Sequence, residues 1–238
     1  MDNSSSLPSE LVPFHGNQLL AALPVHTLQH LAPHLKPILL HTGTTLFETG
    51  SESDAVYFPK SGIVSMVLTS ASGVAVEVGL AGPEGALGLL DALSSNPNSV
   101  RAQVQIAGNG WRLPAATLRE EFEFSAPFRG VVLKYQHAMS TLTAQNVLCN
   151  RLHSVEQRLA KWLLLVQDRV KSEELELTHE FIATMLGSRR EAVTLAASSL
   201  REVGLISYRR GFVTILDRVG LEHLACECYP VLRDQFKI

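Results

Sequence analysis

Between residues 36 and 113 the chain runs in short apolar stretches with a period of two, and this constrains the fold more than any other feature of the sequence. Val74, Val76, Val78 and Leu80 alternate with Ala75, Glu77 and Gly79, and Val100, Ala102, Val104 and Ile106 alternate with Arg101, Gln103 and Gln105. Five more runs, at 38–40, 44–47, 56–58, 63–68 and 111–113, are each bounded by Gly, Pro, Ser or Asn. Strands of this kind build a sandwich or jelly roll. Ahead of them, residues 18–35 read as short helical turns broken by Pro24 and Pro33. The Ser- and Pro-containing start reads as a flexible N-terminus over 1–16, which places a first domain at 17–126.

At Pro127 the period changes. From there to Lys171 the chain has no further Pro and only Gly130 as Gly, so a long helix is expected over 127–171. Phe128, Val131, Tyr135, Ala138, Leu142, Gln145, Cys149 and Leu152 are spaced by threes and fours, an apolar heptad seam in which polar Gln145 would fix register. A helix of that length spans ~60 Å at ~1.5 Å per residue, more than a small domain can cover. The seam from Val131 to Leu152 is therefore expected to meet a second copy of the chain; the alternative is packing on its own β-domain.

Residues 172–238 form a different unit. Thr178 can cap a short helix that buries Phe181, Ile182, Met185 and Leu186, and Gly187 stops it. Ser188, Arg189, Arg190 and Glu191 then open a second helix whose apolar face is Val193, Ala196, Ala197 and Leu200. A short helix, a glycine turn and an amphipathic helix with a polar first turn make a helix-turn-helix, in which the second helix offers its first residues to DNA bases. Arg190 can fork onto guanine, Glu191 can accept from cytosine, and Thr178, Ser188, Arg189 and Thr194 lie where phosphate or base edges would be met. Two short β runs follow at 204–208 and 212–215, joined at Arg209, Arg210 and Gly211 as a wing whose arginines suit phosphate.

Charge supports this placement. The whole chain carries −3, which excludes a protein that coats nucleic acid through bulk basicity, yet between Leu186 and Arg218 six arginines face three carboxylates. Three cysteines, Cys149, Cys226 and Cys228, are too few for a disulfide scaffold, and neither a secretory leader nor a run of roughly 18 apolar residues is present. A cytoplasmic location without membrane association follows as the expectation. Catalytic signatures (a nucleophile elbow, a zincin motif, a phosphate-loop lysine, a dinucleotide fingerprint) are missing, so no enzyme is expected.

The residues Leu177-Thr178, Ile182-Ala183, Leu186-Gly187, Arg190-Glu191-x-Val193, Leu200 and Gly204-Leu205-Ile206 resemble the C-terminal signature of the Crp/Fnr transcription regulators. Upstream, Gly43-x-x-Leu46-Phe47-x-x-Gly50, Val56-Tyr57-Phe58 and Gly62 are similar to the first strands of that family's cyclic-nucleotide-binding-type β-roll. The resemblance spans roughly 19–215. It implies an α+β chain with an N-terminal β-roll (jelly-roll) sensor domain, a long dimerisation helix and a C-terminal winged helix-turn-helix. The implied partners are double-stranded DNA and a second copy of the chain, with RNA polymerase as a further candidate. By resemblance Arg190 and Glu191 fall on two base-reading positions, while a third, often Arg, is here Leu195.

The sensor departs from the family pattern. Where cyclic-AMP binders carry Gly-Glu-Leu and then Arg-Ser or Arg-Thr, this chain has Gly85-Ala86-Leu87 and Arg101-Ala102. These five residues are the candidate effector pocket, but without the acid and the hydroxyl, cyclic AMP is not expected as the ligand. No cysteine precedes Cys149, so the N-terminal iron–sulfur cluster of some relatives is not expected either. His26, His30 and His34 have helical spacing for a metal, yet Pro33 interrupts them and no carboxylate or thiol joins them, so no metal site is expected. Two alternatives stay open: a ligand-binding adaptor whose winged helix contacts protein, and a regulator that needs no effector.

Overall fold

The computed structural model describes residues 11–209 and 211–236. They fall into two compact units, one of residues up to 64 with 81–136, the other of 65–80 with 137 onward.

The first unit opens with a 3-10 turn, Val12–Gly16, then α1 (Gln18–Ala21), α2 (Val25–Leu31) and a second 3-10 turn at Ala32–His34. Leu11 and Phe14 are buried, with Phe14 4.7 Å from the Trp111 ring, so 11–16 are folded rather than part of a flexible start; apolar burial against the sheet holds them. Residues 1–10 of that expected segment lie outside the described residues. The strands are β1 (Lys36–Leu40), β2 (Thr45–Phe47), β3 (Ala55–Pro59), the first residues of β4 (Ile63–Thr69), the last of β5 (Ala75–Ala81), β6 (Arg101–Ile106) and β7 (Gly108–Pro114). Every stretch read as a strand from its period of two forms one. One sheet has the order β1-β7-β3, antiparallel, with Ile38 opposite Gly110 and Phe58 opposite Trp111. β2 pairs with β6, placing Phe47 opposite Ala102. Buried Asn17 ties this end together: its Oδ1 accepts from Leu20 N at the start of α1, and its Nδ2 donates to Pro59 O at 2.8 Å and Gly85 O at 2.7 Å. Two further helices complete this unit, α3 (Leu89–Ser94) after Gly88 and α4 (Ala115–Phe124) after β7.

The long helix is two helices. α5 (Ala126–Leu152) belongs to the first unit as far as Gln136 and to the second beyond it, and α6 (Val155–Val170) follows. The break is a capping box: Ser154 Oγ accepts from Gln157 N while Gln157 Oε1 accepts from Ser154 N. The expected seam is corrected too. Phe128, Tyr135, Ala138, Leu142 and Cys149 are buried within their own chain, Val131 and Gln145 are half-buried, and Leu152 is exposed. Burial within the chain accounts for Phe128, Tyr135, Ala138, Leu142 and Cys149, which leaves Val131, Gln145 and Leu152 as the seam positions open to a second copy. A different stripe of the same helix remains outside: Gly130, Leu133, His137, Ser140, Ala144 and Val147, spaced by threes and fours.

The second unit holds the β4–β5 hairpin from Ser65 to Leu80, the end of α5, α6, β8 (Glu174–Glu176), α7 (His179–Leu186), α8 (Arg190–Glu202), β9 (Ile206–Arg209), β10 (Phe212–Ile215), α9 (Arg218–Leu224) and α10 (Cys228–Gln235). β8-β10-β9 is one antiparallel sheet, so the charged connection after α6 contributes a strand, with Leu175 buried opposite Val213. α6 is the spine of the unit, and Leu159, Leu163, Leu164 and Val166 are buried. The hairpin is held to it by a buried polar triad: Glu77 accepts from Ser65 Oγ at 2.5 Å and from Trp162 Nε1 at 3.1 Å, and burial pushes its carboxyl up to about 7.

Candidate nucleic-acid interface

Thr178 caps α7, its Oγ1 accepting from Phe181 N at 3.2 Å, and Gly187 closes that helix in a left-handed conformation at φ +56°. The same turn is fixed from α6. Arg158 donates to Leu186 O and to Ser188 Oγ, so a guanidinium takes up a carbonyl that the end of α7 leaves without a helical partner. Arg158 gave no signal in the sequence; its role depends on a contact between residues 28 positions apart.

α8 then starts with Arg189 as its N-cap and buries Val193, Ala196, Ala197 and Leu200. Glu156 on α6 accepts from Ser199 Oγ on the inner side. The outer side bears Arg190, Glu191, Thr194 and Leu195 around a shallow, open depression, with Leu195 72% exposed. Arg190 and Glu191 are both exposed, and the nearest carboxylate to Arg190 is that of Glu180, 3.8 Å away and itself exposed. In water such a pair is worth little, so Arg190 remains available to an outside acceptor. Thr194 is less free, bonded to Arg190 O at 3.0 Å and to His179 Nδ1 at 3.1 Å. His179 stacks on Tyr208 of β9 with ring centroids 4.1 Å apart, linking the wing to the start of α8, and burial followed by the nearby Arg190 charge holds its pKa below the ordinary value. His179 and Tyr208 are a pairing that spacing alone did not reveal.

The expected residues thus share one surface in part. Thr178, Arg189, Arg190, Glu191 and Thr194 are exposed there, Arg209 is exposed at the end of β9, Ser188 is half-buried and held by Arg158, and Arg210 lies outside the described residues. Arg218, included in the local positive charge, is committed elsewhere: it bonds Asp168 and Gln167 at 2.7 Å, Glu222 at 2.9 Å and Tyr229 Oη at 2.6 Å.

Of the candidate effector residues, Gly85, Ala86, Leu87 and Ala102 are buried and Arg101 is half-buried. Gly85 and Ala86 are buried beneath α5, where Tyr135 Oη donates to Ala86 O at 2.9 Å and a methyl group on Gly85 would strike the Tyr135 ring. Leu87 exchanges both backbone bonds with Tyr57. Ala102 is buried in β6 opposite Phe47 of β2, whose ring stands beside Gly88. Arg101 is half-buried, and its Nε is buried without a hydrogen-bond partner among the described residues. His26, His30 and His34 are exposed, with Glu121 3.8 Å from His30, and they converge on no common point.

Two family models match separate stretches of the chain. The family model of the cyclic nucleotide-binding domain matches residues 37–123, and that of the Crp-like helix-turn-helix domain matches 157–224. No curated protein matches the chain. Among solved structures, a transcriptional regulator of the Crp/Fnr family from Eubacterium rectale is 23% identical with a TM-score of 0.70, over 88% of this chain and 98% of that one. FixK2 from Bradyrhizobium japonicum is 16% identical with a TM-score of 0.70, over 81% and 98%. A Crp/Fnr-family regulator from Thermus thermophilus is 20% identical with a TM-score of 0.68, over 80% and 98%. With a cyclic-nucleotide-binding β-roll, a long helix and a Crp-like helix-turn-helix in that order, the chain belongs to the Crp/Fnr family of transcription regulators.

Proposed function

We propose that this regulator binds an inverted-repeat operator as a homodimer, with α8 in the major groove and the wing on the phosphate backbone. The observation that carries the reading is the outer face of α8, where Arg190 and Glu191 stand exposed in the first turn of a helix whose other face is buried. Arg190 would read a guanine, Glu191 a cytosine, and Arg189 and Arg209 would hold phosphate. Leu195, where relatives often carry Arg, offers an apolar contact to a thymine methyl.

Dimerisation is supported by the outward stripe of α5. Leu133 is 60% and Val147 69% exposed, and the small residues Gly130, Ser140 and Ala144 on the same stripe let a second helix approach closely. Two copies joined there would set their recognition helices about one DNA turn, ~34 Å, apart.

Any effector at the β-roll is not cyclic AMP: no carboxylate stands at Ala86 to meet a ribose hydroxyl, and the Gly85–Leu87 backbone is occupied by Asn17, Tyr135 and Tyr57. Arg101 is the one residue of that set with unused donor capacity toward an anion.

The test is selection from a randomised DNA pool at two salt concentrations, with and without cyclic nucleotides. A two-fold symmetric site, bound more weakly at higher salt and unaffected by cyclic AMP, is the expected result. Salt-insensitive binding with no enriched site would favour an adaptor whose winged helix contacts protein.

A further inference from the structure

We propose that Cys149, His153, Cys226 and Cys228 form a tetrahedral site for one thiophilic divalent cation of the zinc class, which fastens the C-terminal segment to the end of α5. The proposal stands independently of DNA binding. Cys149 lies in the last turn of α5 and His153 one residue past its end, where His153 N still donates to Cys149 O at 3.1 Å, so the two side chains fall on one side of the chain. Cys226 follows α9 and Cys228 begins α10; the turn between them, closed by Tyr229 N donating to Cys226 O at 3.0 Å, brings both thiols to that face. Cys149 Sγ stands 3.5 Å from Cys226 Sγ, and Cys228 Sγ stands 3.7 Å from His153 Nδ1. All four ligand atoms lie within 4.8 Å of one another.

Bond lengths of about 2.3 Å to sulfur and about 2.0 Å to nitrogen put tetrahedral ligand atoms roughly 3.5 to 3.8 Å apart. The two separations above already meet this, and small side-chain rotations would close the rest. A polynuclear iron–sulfur cluster spreads its ligands over several irons and needs a wider cage than 4.8 Å allows.

Three features separate this group from cysteines that merely pack. All three thiols are buried, yet they converge on an imidazole rather than on a purely aliphatic surface. His153 Nε2 lies 3.1 Å from exposed Glu227 Oε1, which fixes the ring and leaves Nδ1 facing the sulfurs, the carboxylate–histidine–metal arrangement. Three thiolates and a neutral imidazole would give the bound cation a net charge of about −1. Lys161, held by Asn146 Oδ1 at 2.9 Å, and Arg158 both lie close enough to balance it. A Cys149–Cys226 disulfide would use two of the four groups and leave the third thiol and the oriented imidazole unexplained. Arg158 is also the residue that holds the turn after α7, so the cation would lie beside the support of the helix-turn-helix.

The experiment uses the full chain, reduced and stripped with a chelator, then titrated with Co²⁺ and back-titrated with Zn²⁺. Expected are one cobalt per chain, thiolate-to-cobalt charge transfer in the near ultraviolet, strong tetrahedral bands in the visible, and loss of both on adding zinc. Zinc should release protons, shield all three thiols from a thiol reagent and raise the melting temperature. Glu227→Gln, a surface change, should weaken binding about 10- to 100-fold with the spectrum retained. Cys228→Ser should lower the charge-transfer intensity; if that variant fails to fold, thiol protection in the unaltered chain still decides the matter. Octahedral or absent cobalt spectra, thiols equally reactive with and without zinc, or a Cys149–Cys226 disulfide that persists under reductant in place of metal binding would each overturn the proposal.

Discussion

Glu77 gives the fold a pH dependence of opposite sign to that of a salt-bridged carboxylate. It is buried between the β4–β5 hairpin and α6, where Ser65 and Trp162 donate to it and Lys161 and Arg169 contribute smaller electrostatic effects. Desolvation prevails, and the carboxyl titrates at about 7 against an ordinary 4.5. A folded chain that keeps a proton the unfolded chain has released loses stability as pH rises. The stabilisation is complete below 4.5, falls across the interval up to about 7, and changes no further above it. At ~1.4 kcal/mol per pH unit the loss is on the order of 3 kcal/mol.

Glu77→Gln isolates this effect, because Gln keeps an acceptor for Trp162 Nε1 and Ser65 can turn its hydroxyl to accept from the new amide. Urea unfolding of both proteins from about pH 4 to about pH 8 is the assay. The difference in unfolding free energy, unaltered minus variant, should fall by about 3 kcal/mol over that range, most of it between about pH 5 and about pH 7. Other titrations, including that of His179, cancel in the difference. Parallel curves, or an unaltered chain that gains relative stability with rising pH, would refute the reasoning.

Further perturbations test the other surfaces. Arg190→Ala should cost about 1 to 3 kcal/mol on the selected operator and relax one base pair, whereas Arg209→Ala should weaken binding evenly on all sequences and reduce the salt slope by ~1, both read by fluorescence anisotropy. Equal losses from both on every sequence would remove Arg190 from base reading. Leu133→Glu should yield monomers in sedimentation while changing single-chain stability by no more than ~0.5 kcal/mol; an unchanged dimer would exclude the outward stripe of α5. Gly187→Ala should destabilise the chain by about 1 to 2 kcal/mol through its left-handed backbone alone. The new methyl would also stand 3.1 Å from Val76 Cγ1, so Val76→Ala should recover the steric part in thermal melts, and no recovery would show that contact to be slack.

What could be read in the sequence was local. A period of two over 36–113 suffices for strands because each side chain reports its own face, and Thr178, Gly187 and the first turn of α8 lie within sixteen residues of one another. The break between α5 and α6 was equally local, since Ser154-x-x-Gln157 is a capping signature in a stretch judged only by its lack of Pro and Gly. α5 shows where such reading fails. It carries two heptad stripes, and the one richer in large apolar residues, Phe128 to Cys149, is the one its own chain covers. The stripe left outside is built of Gly130, Ser140 and Ala144 as well as Leu133 and Val147, and its small residues give no hydrophobic signal. Arg158 and the sulfur–imidazole group lie beyond any local rule. Cys149 and Cys226 are 77 positions apart, and only the return of α9 and α10 onto α6 brings them together. Cys149-x-x-x-His153 and Cys226-x-Cys228 are each too short to imply a ligand set alone; what makes four donors of them is the closure of the chain around the winged helix.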